Sequence, residues 1–346
     1  MRPRGPRAAA VEALLHQEQG GYANLVLDAQ LDRSALAGRD RAFAAAIFYT
    51  TVERQATLDF ILGQFLPKGV DRLDPPVRAI LRSALAQARY MQVPAPAAVH
   101  EAVELVRAFG KSSAAGLVNA VLRKACNYDL SAASFEDEVQ RLMVLGSAGQ
   151  DVAAFLRRYY PDEALDILTA PADGGRTALR ANPLKTTPEA LADLLAGEGV
   201  EAVPGRVPGS LLAAFEGSPA ASPLFAQGYF HVEGQASQLA ALCVGARPGE
   251  TVLDLCAAPG GKTLTLAQEM GDSGRLLSCD VTPKRVGLIR TAAGRMGLGC
   301  VEAVCNDAAK PNPAFPRADR VLADVPCSGL GILHKKPDIR HKTLDE

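Results

Sequence analysis

From residue 236 onward the chain alternates short apolar strands with amphipathic helices, and no other feature restricts its fold so tightly. The first strand is expected at 251–255, followed by a glycine-rich turn and a helix near 263–270. A second strand at 275–280 precedes a helix near 284–296, and further strands follow at 300–304 and 320–324. Strands joined through helices must run parallel, because a parallel pair needs a crossover connection of a dozen or more residues. The helices then cover both faces of the sheet. The expected architecture for 236–346 is therefore a doubly wound α/β sheet with four visible strands.

The rhythm before residue 131 is different. Val77, Ile80, Leu81, Ala84, Leu85 and Ala88 repeat at helical spacing, in a segment opened by Asp74-Pro75-Pro76, where an acidic cap and a proline in the first turn are favoured. Val99, Val103 and Val106 form a second stripe, and Leu117, Val118, Val121 and Leu122 a third. With Ala-rich segments around 8–18 and 40–63 they predict an all-α bundle over 1–130. Residues 131–235 begin as weak helix and then become rich in glycine and proline, including Pro171, Gly174, Gly175, Pro204 and Gly205. Mixed segments at 177–180, 188–196 and 228–232 make this a small α+β module.

Composition excludes several classes. The chain is 48% hydrophobic and 22% charged, enough apolar surface to offset the entropy of ordering, so it is not a disordered chain. No uncharged run approaches the roughly 20 apolar residues of a membrane span. The seven cysteines are scattered without a Cys-x-x-Cys pair, which argues against disulfides or a zinc site and for a reducing, cytoplasmic setting. Residues 1–130 carry 16 basic against 12 acidic side chains, 131–235 carry 7 against 14, and 236–346 carry 14 against 12. A polyanionic partner should meet the two ends.

The turn after the first α/β strand reads Asp254-Leu255-Cys256-Ala257-Ala258-Pro259-Gly260-Gly261-Lys262-Thr263. Glycines and small residues there let backbone approach a ligand at the next helix's N-terminus. It is not a P-loop, whose first glycine position holds Cys256, and the dinucleotide fingerprint is absent. Asp280 ends the second strand, where a carboxylate can accept from ribose hydroxyls; Asp307 follows the third and Asp324 ends the fourth. Carboxyl ends of adjacent strands line one crevice, so these loops should converge on one nucleotide-like ligand.

The loop from Asp254 to Lys262, together with Asp324-Val325-Pro326-Cys327-Ser328-Gly329-Leu330-Gly331, resembles the RNA 5-methylcytosine methyltransferases of the Sun/RsmB type, which act on 16S ribosomal RNA. Residues 95–103 and 117–123 are similar to the NusB-like RNA-binding domain of that family, and Leu179-Arg180-Ala181-Asn182-Pro183 to the start of its RNA-recognition module. The resemblance implies a NusB-like bundle (1–130), linker helices with an RNA-recognition module (131–235), and a Rossmann-like methyltransferase domain (236–346). It implies S-adenosylmethionine as cofactor, bound by Cys256, Ala257, Ala258, Pro259, Gly260, Gly261 and Lys262. Asp280 would meet the ribose, Asp307 the adenine side, and Asp324 would stand between cofactor and base. One position departs from the family: Glu233-Gly234 stands where Gln-Asp is usual.

Carbon 5 of cytosine is a poor nucleophile, so a thiolate must first add at carbon 6, which is covalent catalysis. By chemistry alone Cys327 would be that thiolate. By resemblance Cys327 assists product release, and the nucleophile lies in a later Thr-Cys motif, a pair this sequence lacks. Four strands against the seven the resemblance implies make the sheet incomplete and the chain a C-terminally truncated member. His334, Lys335, Lys336, Arg340, His341 and Lys342, with Arg2, Arg4 and Arg7, are expected to contact RNA phosphates. The expectation is a monomeric RNA methyltransferase with neither a metal site nor a membrane association. Its alternatives are a non-catalytic RNA-binding protein and a small-molecule methyltransferase.

Overall fold

The structure, a computed structural model, describes residues 4–20, 23–170, 176–333 and 336–344. Arg2, Pro171, Gly174, Gly175, His334 and Lys335 lie outside the described residues. The chain forms two compact units, Met1–Ala172 with Ser328–Glu346, and Asp173–Cys327. Among the described residues no helix is long and apolar enough to cross a membrane.

The first unit is helical. Its bundle comprises Pro6–Gln17, Ala23–Arg33, Gly38–Glu53, Gln55–Gly63, Pro75–Tyr90, Ala95–Ala108 and Ala115–Ala125. Val11, Leu27, Phe48, Ile61, Leu81, Leu85, Val106 and Leu122 meet in one core. Two details differ from the periodicity. Helix Pro75–Tyr90 is central and buried on nearly every side, including Arg82, Ser83 and Gln87, while Ala88 is only half-buried. Its polar residues are accommodated because they are paired. Arg82 Nε and Nη2 each donate to Asp59 at 2.7 Å, and Nη1 donates to Glu18 at 2.6 Å. Leu117 is exposed, since the buried face of its helix runs through Val118, Val121, Leu122 and Ala125.

Three more helices, Glu138–Leu145, Gln150–Tyr159 and Ala164–Thr169, continue this unit. Leu142, Leu156 and Leu168 pack with Leu333, Ile339 and the partly buried Leu330, which is why residues beyond 327 belong to the helical unit instead of the α/β one. Arg340 is buried and its Nη1 donates to the carbonyls of Gly146 and Leu168, at 2.8 and 2.9 Å. His341 Nε2 donates to the carbonyl of Val52 at 2.7 Å, and burial pushes the imidazole down to about 4, so it is neutral at pH 7. These two residues are thus spent on internal backbone and are unavailable to phosphates, correcting the sequence reading. Arg7 is likewise tied in, donating to Gln87 at 2.9 Å and lying over Phe43; Arg4 and Lys336 are exposed.

The second unit holds two sheets. The first contains β1 (Thr177–Ala181), β2 (Glu201–Pro204), β3 (Ser210–Ala214) and β4 (Phe230–Val232) in the antiparallel order β2-β3-β1-β4, with helix Pro188–Gly197 after β1. The second contains β5 (Thr251–Asp254), β6 (Arg275–Asp280), β7 (Val301–Cys305) and β8 (Arg320–Leu322) in the parallel order β7-β6-β5-β8. Helices Gly261–Glu269 and Pro283–Met296 connect β5 to β6 and β6 to β7. This is the expected Rossmann-like arrangement, and the strand order reverses between β5 and β8, where such sheets open a crevice. Among the described residues β8 pairs only with β5, and its Val321 is exposed.

The two sheets are locked together through the segment likened to an RNA-recognition module. Arg180 is buried and donates to Gln268 at 3.1 Å, Glu269 at 2.7 Å and the Pro208 carbonyl at 3.0 Å. Asn182 Nδ2 donates to the carbonyls of Gly228 and Met296. Both side chains serve packing within the unit.

Candidate active site

Asp254 ends β5 and is 1% exposed. Its Oδ2 accepts from Thr263 Oγ1 at 2.7 Å, fastening the strand's end to the helix that follows, and the backbone N–H of Cys256 also bears on the carboxylate. Burial pushes its carboxyl up to about 6, against the opposing hydrogen bond from Thr263 and the nearby charge of Lys262.

The loop between strand and helix is held from several sides. Ala257 N–H donates to the Cys279 carbonyl at 2.7 Å, Leu255 N–H to the Leu322 carbonyl at 2.9 Å, and Arg285 Nη2 to the Ala258 carbonyl at 2.9 Å. Ala257 and Ala258 pack on Ile289. Gly260, the residue before the helix, has φ 115°, a conformation that side-chain-bearing residues avoid. The glycine run is thus required by the backbone as well as by access to a ligand.

A cavity of about 230 Å³ opens here, lined by Glu233, Gly234, Asp254, Cys256, Ala257, Ala258, Pro259, Gly261, Lys262 and Asp324, with Val232 and Ser237. Seven of the residues singled out from sequence are therefore brought to one place. Lys262 Nζ meets Asp324 Oδ2 at 2.6 Å across it, linking the β5 loop to the segment after β8. The Cys256 thiol is held above its ordinary value by burial and by the negative charges of Asp254, Asp280 and Asp324, which disfavours the thiolate.

The remaining expected residues lie outside that lining. Gly260 shapes the loop from behind. Asp280 is buried at the end of β6, accepts from Thr282 N and Oγ1 at 3.3 Å each and pairs with Arg285 at 3.3 Å. Asp307 turns the chain after β7, accepting from Ala309 N–H at 3.0 Å and pairing with Lys310, whose hydrogen bond holds its carboxyl below the usual range. Cys327 is exposed. Cys279 and Cys300 are buried thiols pushed up to about 11 and about 12 chiefly by desolvation, in keeping with a core role. Among the described residues no group of His, Cys, Asp and Glu is disposed to hold a metal ion.

Val232, Glu233, Gly234, Ser237 and Asp254 are the lining residues not given a ligand role from sequence, and Glu233 and Asp254 are the two carboxylates among them. Glu233 reaches it from β4, far from the glycine loop in sequence. Its only local signal was the departure from Gln-Asp at 233–234.

Residues 4–127 match the NusB family, and residues 241–346 match the family described as 16S rRNA methyltransferase RsmB/F. A probable ribosomal RNA small subunit methyltransferase B of Bacillus subtilis (strain 168) is 33% identical over 347 residues, spanning 99% of this chain and 77% of the relative. A ribosomal RNA small subunit methyltransferase B of Thermus thermophilus is 34% identical, spanning 100% of this chain and 77% of the relative. The crystal structure of PH0851 superposes with a TM-score of 0.75 at 25% identity, covering 98% of this chain and 78% of that one. With a helical bundle matched at one end and the cavity-bearing α/β sheet at the other, the chain belongs to the RsmB/F family of 16S rRNA methyltransferases.

Proposed function

We propose that this chain binds S-adenosylmethionine at the carboxyl end of β5 and serves the methylation of carbon 5 of a cytosine in 16S ribosomal RNA. The observation that carries the reading is the convergence of the Cys256–Lys262 loop and Asp324 on one cavity, which Glu233 and Asp254 also line. A small cofactor with a charged end fits a cavity lined by acidic side chains, Lys262 and the start of a helix.

When bound, the cofactor supplies an electrophilic methyl group on a sulfonium. The chain's own residues supply position and charge. The loop backbone and the N-terminus of helix Gly261–Glu269 receive a polar end group. Asp280, at the end of β6, takes ribose hydroxyls, and Asp307 serves the adenine side. Asp324, anchored by Lys262, stands between the cofactor and the target base, while a thiolate adds at carbon 6 of the base. Cys327, on the exposed loop after Pro326, assists release of the methylated base. The attacking thiolate belongs to a Thr-Cys motif that these 346 residues do not contain. The helical bundle and exposed cations such as Arg4 and Lys336 bind the RNA backbone.

Deleting the gene for this chain should remove one 5-methylcytosine from 16S ribosomal RNA, read by mass spectrometry of nuclease fragments. An unchanged 5-methylcytosine content would refute the assignment. Affinity for RNA without affinity for S-adenosylmethionine would make the chain an RNA-binding protein instead.

A further inference from the structure

Cys327 lies in a stretch of chain that is held only at its ends. Among the described residues Val325, Pro326, Cys327 and Ser328 take part in no backbone hydrogen bond, and all four are exposed. Upstream, Asp324 is bonded to Lys262. Downstream, the first fixed residue is Gly329, whose φ of 78° is one that side-chain-bearing residues disfavour. A side chain there would begin 2.6 Å from Ile339 Cδ1, well inside the distance at which packed carbons rest. The Gly329 backbone therefore lies directly against Ile339, and its carbonyl accepts from Ile332 N–H at 2.9 Å.

Ile339 is in turn fixed within the helical unit, to which the chain belongs from Ser328 onward. It packs with Leu142, Leu156, Leu168 and Leu333. The Arg340 carbonyl accepts from Gly149 N–H at 2.6 Å, while Arg340 Nη1 donates to the Gly146 and Leu168 carbonyls. Leu344 N–H donates to Asp151 at 3.1 Å. This anchorage to helices Glu138–Leu145, Gln150–Tyr159 and Ala164–Thr169 begins two positions after the thiol. Two residues span at most about 7 Å of extended chain, so a shift of Gly329 passes to Cys327 with little slack to absorb it.

We propose that Gly329 and Ile339 are positioning residues for Cys327, through which the helical unit fixes where this thiol stands during release of the methylated base. This rests on the reading of Cys327 as the group that assists release. In that step the carbon-5 proton passes to the Cys327 thiolate and its electron pair re-forms the ring double bond. The attacking sulfur leaves carbon 6 with the pair of the carbon–sulfur bond. Displacing a reacting group by about 1 Å costs on the order of a hundredfold in rate, and slowed release leaves protein and RNA covalently joined.

The test places variants in the chromosomal gene. It reads the fraction of the protein joined to 16S ribosomal RNA on denaturing gels, alongside the 5-methylcytosine content. Cys327→Ala sets the scale and should accumulate the adduct. Gly329→Ala, which drives a methyl group into Ile339, should raise the adduct at least about tenfold over wild type. Adding Ile339→Val, which deletes the opposing Cδ1, should reverse about half of that rise or more. A purely structural defect would lower methylation and adduct together. That result overturns the proposal, as does a wild-type adduct level in Gly329→Ala where Cys327→Ala accumulates it. A double variant no better than Gly329→Ala overturns the part assigned to Ile339. Absence of adduct in Cys327→Ala removes instead the reading of Cys327 on which the proposal rests.

Discussion

Asp254 ionises in the folded protein at a cost that Thr263 and the nearby charge of Lys262 offset only in part. Its pKa rises from 3.8 unfolded to about 6 folded, so the folded state holds its proton more tightly than the unfolded state. The group therefore destabilises the ligand-free fold progressively as pH rises from about 4 to 6, and fully above 6. The difference amounts to roughly 3 kcal/mol. Asp254→Asn should accordingly raise the melting temperature of the ligand-free chain at pH 8 and have little effect at pH 4. A variant equally or less stable than wild type at pH 8 would contradict this. The sequence made the glycine loop visible because its residues are contiguous and of unusual type. It marked Asp254 as the start of that loop and Glu233 as a departure from the family, but it could not show that both are buried. Burial is a property of three-dimensional surroundings.

At the scale of elements, the four α/β strands and their helices were legible to within a residue or two, since each carries its own apolar run and turn. The short segment Pro337–His341 was not. Read as charges, Lys336, Arg340, His341 and Lys342 form a basic patch. In the fold, Arg340 and His341 terminate backbone carbonyls of the helical unit, and Ile339 enters its core. Charge in a sequence does not say which cations are buried. Arg340→Ala would leave the Gly146 and Leu168 carbonyls unsatisfied, at about 1–3 kcal/mol each. It should lower the urea midpoint of unfolding yet leave the salt dependence of RNA binding unchanged. A shallower salt slope with unaltered stability would restore the phosphate-contact reading.

For the whole molecule, the order of segments along the chain predicted three domains at 1–130, 131–235 and 236–346. The compact units divide differently, because residues 328–346 return to the helices through Leu330, Leu333 and Ile339, while 176–235 join the α/β sheet through Arg180 and Asn182. Periodicity reports each element's face and not its partner, so assignments between units were beyond its reach. What both levels share is the crevice between β5 and β8, where the loop motif, the Asp324 segment and the buried carboxylates coincide. Titration of the chain with S-adenosylmethionine by calorimetry tests that coincidence most directly. One site per chain is expected, with affinity reduced at least tenfold when Gly261→Leu fills the cavity beside Glu233. Absence of binding, or equal affinity in the filled variant, would contradict the assignment of this cavity as the cofactor site.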